Sequence, residues 1–176
     1  ADLAKDLERI KPLPPKPLSI ATLTAGDCGS STLASDEISS IRRAEAEAAA
    51  RLIGARYHCL EEKDGLIVYD KPTLQKCFDL MREMTPQVVI THPSSDYMMD
   101  HEVVSSLARG ASFVFPAPNC SRVARSEHAR VPHLYFADPI GATESEQLRD
   151  KPTTYVDISA QLQIKTKMLA EHASQR

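Results

Sequence analysis

The sequence predicts one α/β domain: a mainly parallel sheet with helices on both faces. Three observations carry this expectation. Short β-rich runs alternate with amphipathic helical stretches, Gly, Pro and capping residues punctuate the junctions, and 176 residues with 42% hydrophobic and 26% charged side chains suffice for one core.

The elements follow in order. Leu3, Leu7 and Ile10 share a helical face, and KPLPPKP (11–17) is a stiff connector that neither helix nor central strand accommodates. LSIATLT (18–24) reads as a strand and AGDCGSS (25–31) as a turn. Ser35 is expected to cap a helix whose apolar stripe is Ile38, Ile41, Ala48 and Leu52, closed by Gly54. RYHCL (56–60) reads as the next strand, ending at EEKDG (61–65). Asp70 and Pro72 open a helix with Leu74, Cys77, Phe78 and Met81 inward, stopped by Pro86. QVVIT (87–91) reads as a buried strand, and a helix over about 100–111 turns Val103, Val104 and Leu107 inward. HLYFA (133–137) and TYVDI (154–158) are expected strands, and QLQIKTKMLAEHASQR closes the chain as helix. Both ends begin or stop in helix without caps, so the domain, spanning 1–176, is expected to be truncated at each.

Composition narrows the function. A net charge of −3 with no Lys/Arg cluster speaks against nucleic acid, the longest apolar runs are too short or too polar to span a membrane, and 5% aromatics without Trp leave few stacking platforms. Four cysteines, at 28, 59, 77 and 120, form no C-x-x-C pair. That suits a reducing compartment, and a cytoplasmic location is expected.

In parallel α/β folds, loops leaving the carboxyl ends of strands build the site. AGDCGSS, EEKDG and THPSSDYMMDH (91–101) are those loops, and one cleft is expected from them. Within the last, Asp100 beside His101 suits a metal ligand with a carboxylate orienting its imidazole; the plain alternative is a helix cap and a first-turn polar residue. AGDCGSS suits an anion-binding turn but lacks the glycine patterns of nucleotide loops, and an ordinary turn explains it too. Cys28 there reads as a structural thiol. Arg42 and Glu45 share a helix flank and can pair. His58 and His92 read as core or edge residues, His133 as a residue able to line a cleft mouth, and His172 as a packed histidine. Arg122, Arg125 and Arg130 read as solvated charges.

Together, TLTAGDCG (22–29), IRRAEAEAAARLIG (41–54), Asp64-Gly65, VVITHPSSDYMMDH (88–101) and YVDISAQLQIKTKMLAEHASQ (155–175) resemble, in order, the LmbE-like or PIG-L family of zinc-dependent de-N-acetylases. The resemblance implies a Rossmann-like three-layer sandwich, one zinc per chain, and removal of an acetyl group from an N-acetylated sugar or sugar conjugate by metal-activated water. It implies zinc held by His101 together with a His and an Asp of a His-Pro-Asp-Asp motif near the N-terminus, with Asp100 as the supporting catalytic acid. Asp27, Arg42, Asp64 and Asp96 match substrate-binding positions.

This sequence departs from the family twice. The His-Pro-Asp-Asp motif is absent, since His92-Pro93-Ser94-Ser95 has no acids, so the fragment alone is expected to be inactive. Met98 stands where many members have an oxyanion-assisting His, and methionine donates no hydrogen bond. A non-catalytic ligand-binding module on the same fold is the competing class, and a nucleotide-binding protein using AGDCGSS is a third. The substrate and the oligomeric state stay open; a homo-oligomer is one way to cover an unpaired sheet edge.

Overall fold

The computed structural model describes residues 18–139 and 152–175. The helix and Pro-rich connector expected before residue 18 lie outside them. The chain gathers into two compact units, one from residues 18–67 and 156–175, the other from 68–139 and 152–155.

In the first unit, β1 (Ser19–Thr24) and β2 (Arg56–Glu62) pair in parallel, Ser19 opposite Arg56 and Thr22 opposite Cys59, with a register shift before Thr24. A tight turn cannot join parallel strands, so the chain crosses over through α1 (Ser35–Arg51), which packs on β2. Ala34, not Ser35, occupies the cap position of α1; the Ser35 hydroxyl is the first helical side chain and donates to Asp27 Oδ2 at 2.9 Å. The buried face of α1 is Ile38, Ser39, Ala49 and Ala50, while Ile41 and Leu52, expected inward, are exposed. Small residues dominate this face. Gly54 ends the turn after α1 in the left-handed region (φ +68°), where a side chain would be strained.

The carboxyl-terminal segment returns to α1. The expected strand TYVDI does not form: residues 154–158 pair with no strand among the described residues, and Tyr155 and Val156 are exposed. Asp157 instead accepts from the Ser159 N–H (2.9 Å) and hydroxyl (2.6 Å), turning the chain into a 3-10 turn at Ser159–Gln161. α4 (Leu162–Ala170) follows and stops short of the expected end, giving way to a second 3-10 turn at Ala173–Gln175. Glu45 secures it, accepting from the Ser174 N–H (2.8 Å) and hydroxyl (2.7 Å). Arg42, its expected partner, is used elsewhere.

In the second unit, α2 (Lys71–Met84) opens as expected, with the Asp70 carboxylate accepting from the Thr73 N–H at 2.9 Å and Pro72 in the first turn. That hydrogen bond holds the Asp70 pKa below the ordinary carboxylate value. β3 (Val88–Thr91) and β4 (His133–Phe136) pair in parallel, Val88 opposite His133, and α3 (Met99–Val114) makes the crossover. β3 is half-buried rather than buried, and Ile90 stands open. α3 packs on α2; Leu107, Ala111 and Phe115 are wholly enclosed, and Cys77 of α2 is buried. Val103 and Val104, expected inward, are only half-buried.

Arg82 of α2 is buried. Its guanidinium donates to the carbonyls of Ala117, Pro118 and Val123, tying the loop after α3 to α2 without a carboxylate. Among the described residues no helix is long and apolar enough to cross a membrane.

The packing of α3 makes a direct prediction. Leu107→Ala removes a fully enclosed side chain and should cost about 2–5 kcal/mol, whereas Phe113→Ala, on the exposed face of the same helix, should stay within about 0.5 kcal/mol of wild type. Denaturant melts of the two variants measure the contrast.

Candidate metal centre

Asp27, Arg42 and Asp64 come together in the first unit. The loop after β1 turns at Gly26 (φ +74°), and Arg42, reaching back from α1, donates to the Gly26 carbonyl (2.6 Å) and the Gly29 carbonyl (2.9 Å). A Cβ at Gly26 or Gly29 would meet this guanidinium at 2.5 or 2.4 Å, so glycine is what lets the arginine lie against the loop. Both terminal nitrogens of Arg42 are thereby spent on backbone.

Asp27 is buried and fully engaged. Its Oδ1 accepts from the Asp64 N–H (2.8 Å), and its Oδ2 from Lys63 Nζ (3.1 Å) and the Ser35 hydroxyl (2.9 Å). The Asp64 N–H is the largest influence, and with Lys63 and Ser35 it outweighs burial, lowering the Asp27 pKa to about 2. Asp27 reciprocally raises the pKa of Lys63. Asp64 accepts from the Thr24 hydroxyl (3.2 Å), and its carbonyl accepts from the exposed Cys28 thiol (3.2 Å). The loop after β1, the loop after β2 and the start of α1 are therefore joined through one carboxylate.

Asp96, Asp100 and His101 belong to the second unit, where β3 ends and α3 begins. Asp96 N–H donates to Glu102 Oε1 (3.0 Å), and Asp96 Oδ1 accepts from the Met98 N–H (3.0 Å), closing the loop on the first turn of α3. Met98 holds the cap position without a side-chain cap, and Asp100 is buried in the first turn. The carboxylate beside His101 is that of Asp96: its Oδ1 stands 3.1 Å from His101 Nδ1, off the line of a hydrogen bond.

His92, read from sequence as a core or edge residue, lies in this cluster. Candidate donor atoms of His92, Asp96 and His101 fall within 4.8 Å of one another. The rings of His92 and His101 stack with centroids 3.9 Å apart and planes 8° apart, and Tyr97 meets His101 edge-on at 5.7 Å. Burial, followed by the proximity of His101, lowers the His92 pKa against the pull of Asp96, which favours the neutral imidazole. No local sequence signal separates His92 from an ordinary strand-end histidine; only the loop from His92 to Met98, folding back on β3, brings it to His101.

These residues fit a divalent metal. The Asp96 side chain is fully enclosed, yet Oδ2 has no hydrogen-bond partner, and neither has the buried His101 Nδ1. A buried carboxylate oxygen left so is costly unless a cation meets it, and imidazole nitrogen with carboxylate oxygen is a donor set that zinc accepts.

Residues 14–112 match the family model PIG-L, described as GlcNAc-PI de-N-acetylase, and the chain belongs to that family. A 4-oxalmesaconate hydratase of Pseudomonas putida is 30% identical over 125 residues, which cover 70% of this chain and 46% of the relative, so the chain spans about half of that protein. Among solved structures, the 4-carboxy-2-hydroxymuconate hydratase of Pseudomonas putida KT2440 is similar with a TM-score of 0.78 at 24% identity, over 98% of this chain and 72% of that one. An N,N'-diacetylchitobiose deacetylase from Pyrococcus horikoshii has a TM-score of 0.74 at 21% identity, over 91% and 60%. These likenesses show the α/β fold with parallel strands.

The loop after β1 makes a pH prediction. A carboxyl whose pKa is depressed on folding contributes stability that is complete above its ordinary value and lost as pH falls through the folded one. For Asp27 that window runs from 3.8 down to about 2. Wild-type protein should lose stability across it more steeply than Asp27→Asn; parallel slopes in denaturant melts would refute the role given to Asp27.

Proposed function

We propose that this chain carries part of the metal centre of an enzyme that adds water to a small molecule, and that the buried, unpartnered Asp96 Oδ2 next to His101 is the observation that carries the reading. His101 and Asp96 would hold the ion. When bound, a divalent ion such as zinc supplies Lewis acidity, acidifying water and polarising a substrate oxygen. Asp100, beside His101 in the first turn, is proposed as the supporting acid. Asp27, Arg42 and Asp64 are proposed to serve substrate binding by holding the shape of the loops after β1 and β2, since their polar groups are largely turned inward.

The first reading of the reaction is de-N-acetylation of an N-acetylated sugar or conjugate, as the family description suggests. A second reading, hydration of a carbon–carbon double bond in an unsaturated carboxylate, is favoured by two observations. The relative that shares 30% identity is named a hydratase, and Met98 offers no hydrogen bond to the tetrahedral oxyanion through which amide hydrolysis passes.

Elemental mass spectrometry of the full-length protein and its His101→Ala variant tests the shared part: about one ion per chain is expected, lost in the variant. Folded, chelator-free protein without metal would end the proposal. Acetate release from N-acetyl sugars, set against loss of ultraviolet absorbance from conjugated unsaturated acids, then separates the two reactions.

A further inference from the structure

We infer that His92 is a positioning residue that fixes the ring plane of His101 for metal binding and is not itself a ligand. The inference rests on the proposed metal role of His101. Metal binding uses the nitrogen lone pair, which lies in the plane of the imidazole ring. The two rings are 8° from parallel with centroids 3.9 Å apart, so they face each other across a stack. The lone pairs of His101 lie in its own ring plane and those of His92 in a nearly parallel plane a stacking distance away, so the two rings would not both aim at one ion. The geometry that makes His101 a donor thus removes His92 from that role.

What the stack supplies is orientation. The terminal torsion of a histidine has broad wells, and an unsupported ring turns easily about it. His92, anchored directly after β3, covers one face of His101, while Tyr97 meets the ring edge-on and Asp96 stands beside Nδ1. Together they leave the His101 plane little freedom, and a ligand already aligned gives up less entropy when the ion arrives.

The test is zinc affinity of the full-length protein, measured by competition with a chromophoric chelator, for wild type, His92→Phe and His92→Ala. Phenylalanine keeps a flat ring and has no nitrogen to offer; alanine removes the ring. Alanine should weaken zinc binding by about tenfold or more, the loss typical of outer-sphere partners, and phenylalanine should retain most of the affinity. Phenylalanine as damaging as alanine would make His92 a ligand and overturn the inference, as would an alanine variant with unchanged affinity. Wild-type protein that takes up no zinc would overturn the metal reading itself. Thermal melts of the metal-free variants establish that each is folded.

Discussion

Two parallel strand pairs, β1 with β2 and β3 with β4, impose the constraint on which the rest depends. Parallel neighbours need a long return path, and in each unit a helix supplies it, α1 in one and α3 in the other. Each crossover begins with a loop at the carboxyl end of a strand and meets the amino end of a helix, where backbone N–H groups point outward. Both loops of interest, Gly26–Ser31 after β1 and His92–Met98 after β3, are products of this one requirement. Polar chemistry collects there because strand and helix interiors have no backbone groups to spare.

The two loops resolve their buried charge differently. In the first, Asp27 receives donors from Asp64, Lys63 and Ser35, and the carboxylate is complete within the protein. In the second, Asp96 spends Oδ1 on the Met98 N–H and leaves Oδ2 buried without a partner, beside an imidazole nitrogen in the same state. One carboxylate is a structural clamp, and the other keeps one oxygen buried without a hydrogen-bond partner. Burial and acidity alone do not separate them; the inventory of partners does.

Much of the fold was legible in residue order. β1, β2, β3 and β4, and α1, α2 and α3, fall where β-rich runs, amphipathic spacing and the Asp70 and Pro86 signals put them. The failures have physical causes. TYVDI has strand composition, but composition cannot supply a neighbouring strand, and the Asp157–Ser159 hydrogen bonds turn the chain instead. The stripe on α1 was assigned by residue size, whereas close packing selected Ala49 and Ala50 and left Ile41 and Leu52 outside. The burial of Arg82 has no signal in the sequence, because its partners are main-chain carbonyls, which no side-chain pattern reveals.

For the site, Asp27, Arg42, Asp64, Asp96, Asp100 and His101 were expected from their order along the chain, which matches that of a family; the first three fall in one unit and the last three in the other. Local propensities and capping rules act over a few residues, so the sequence by itself determined the alternation of strands and helices and the loops that could bear chemistry. Tertiary structure decided the partners. Which carboxylate stands beside His101, that His92 covers its face, and that Arg42 is consumed by two glycine carbonyls are through-space facts. They depend on where loops fold back, and that is set by packing between elements distant in sequence.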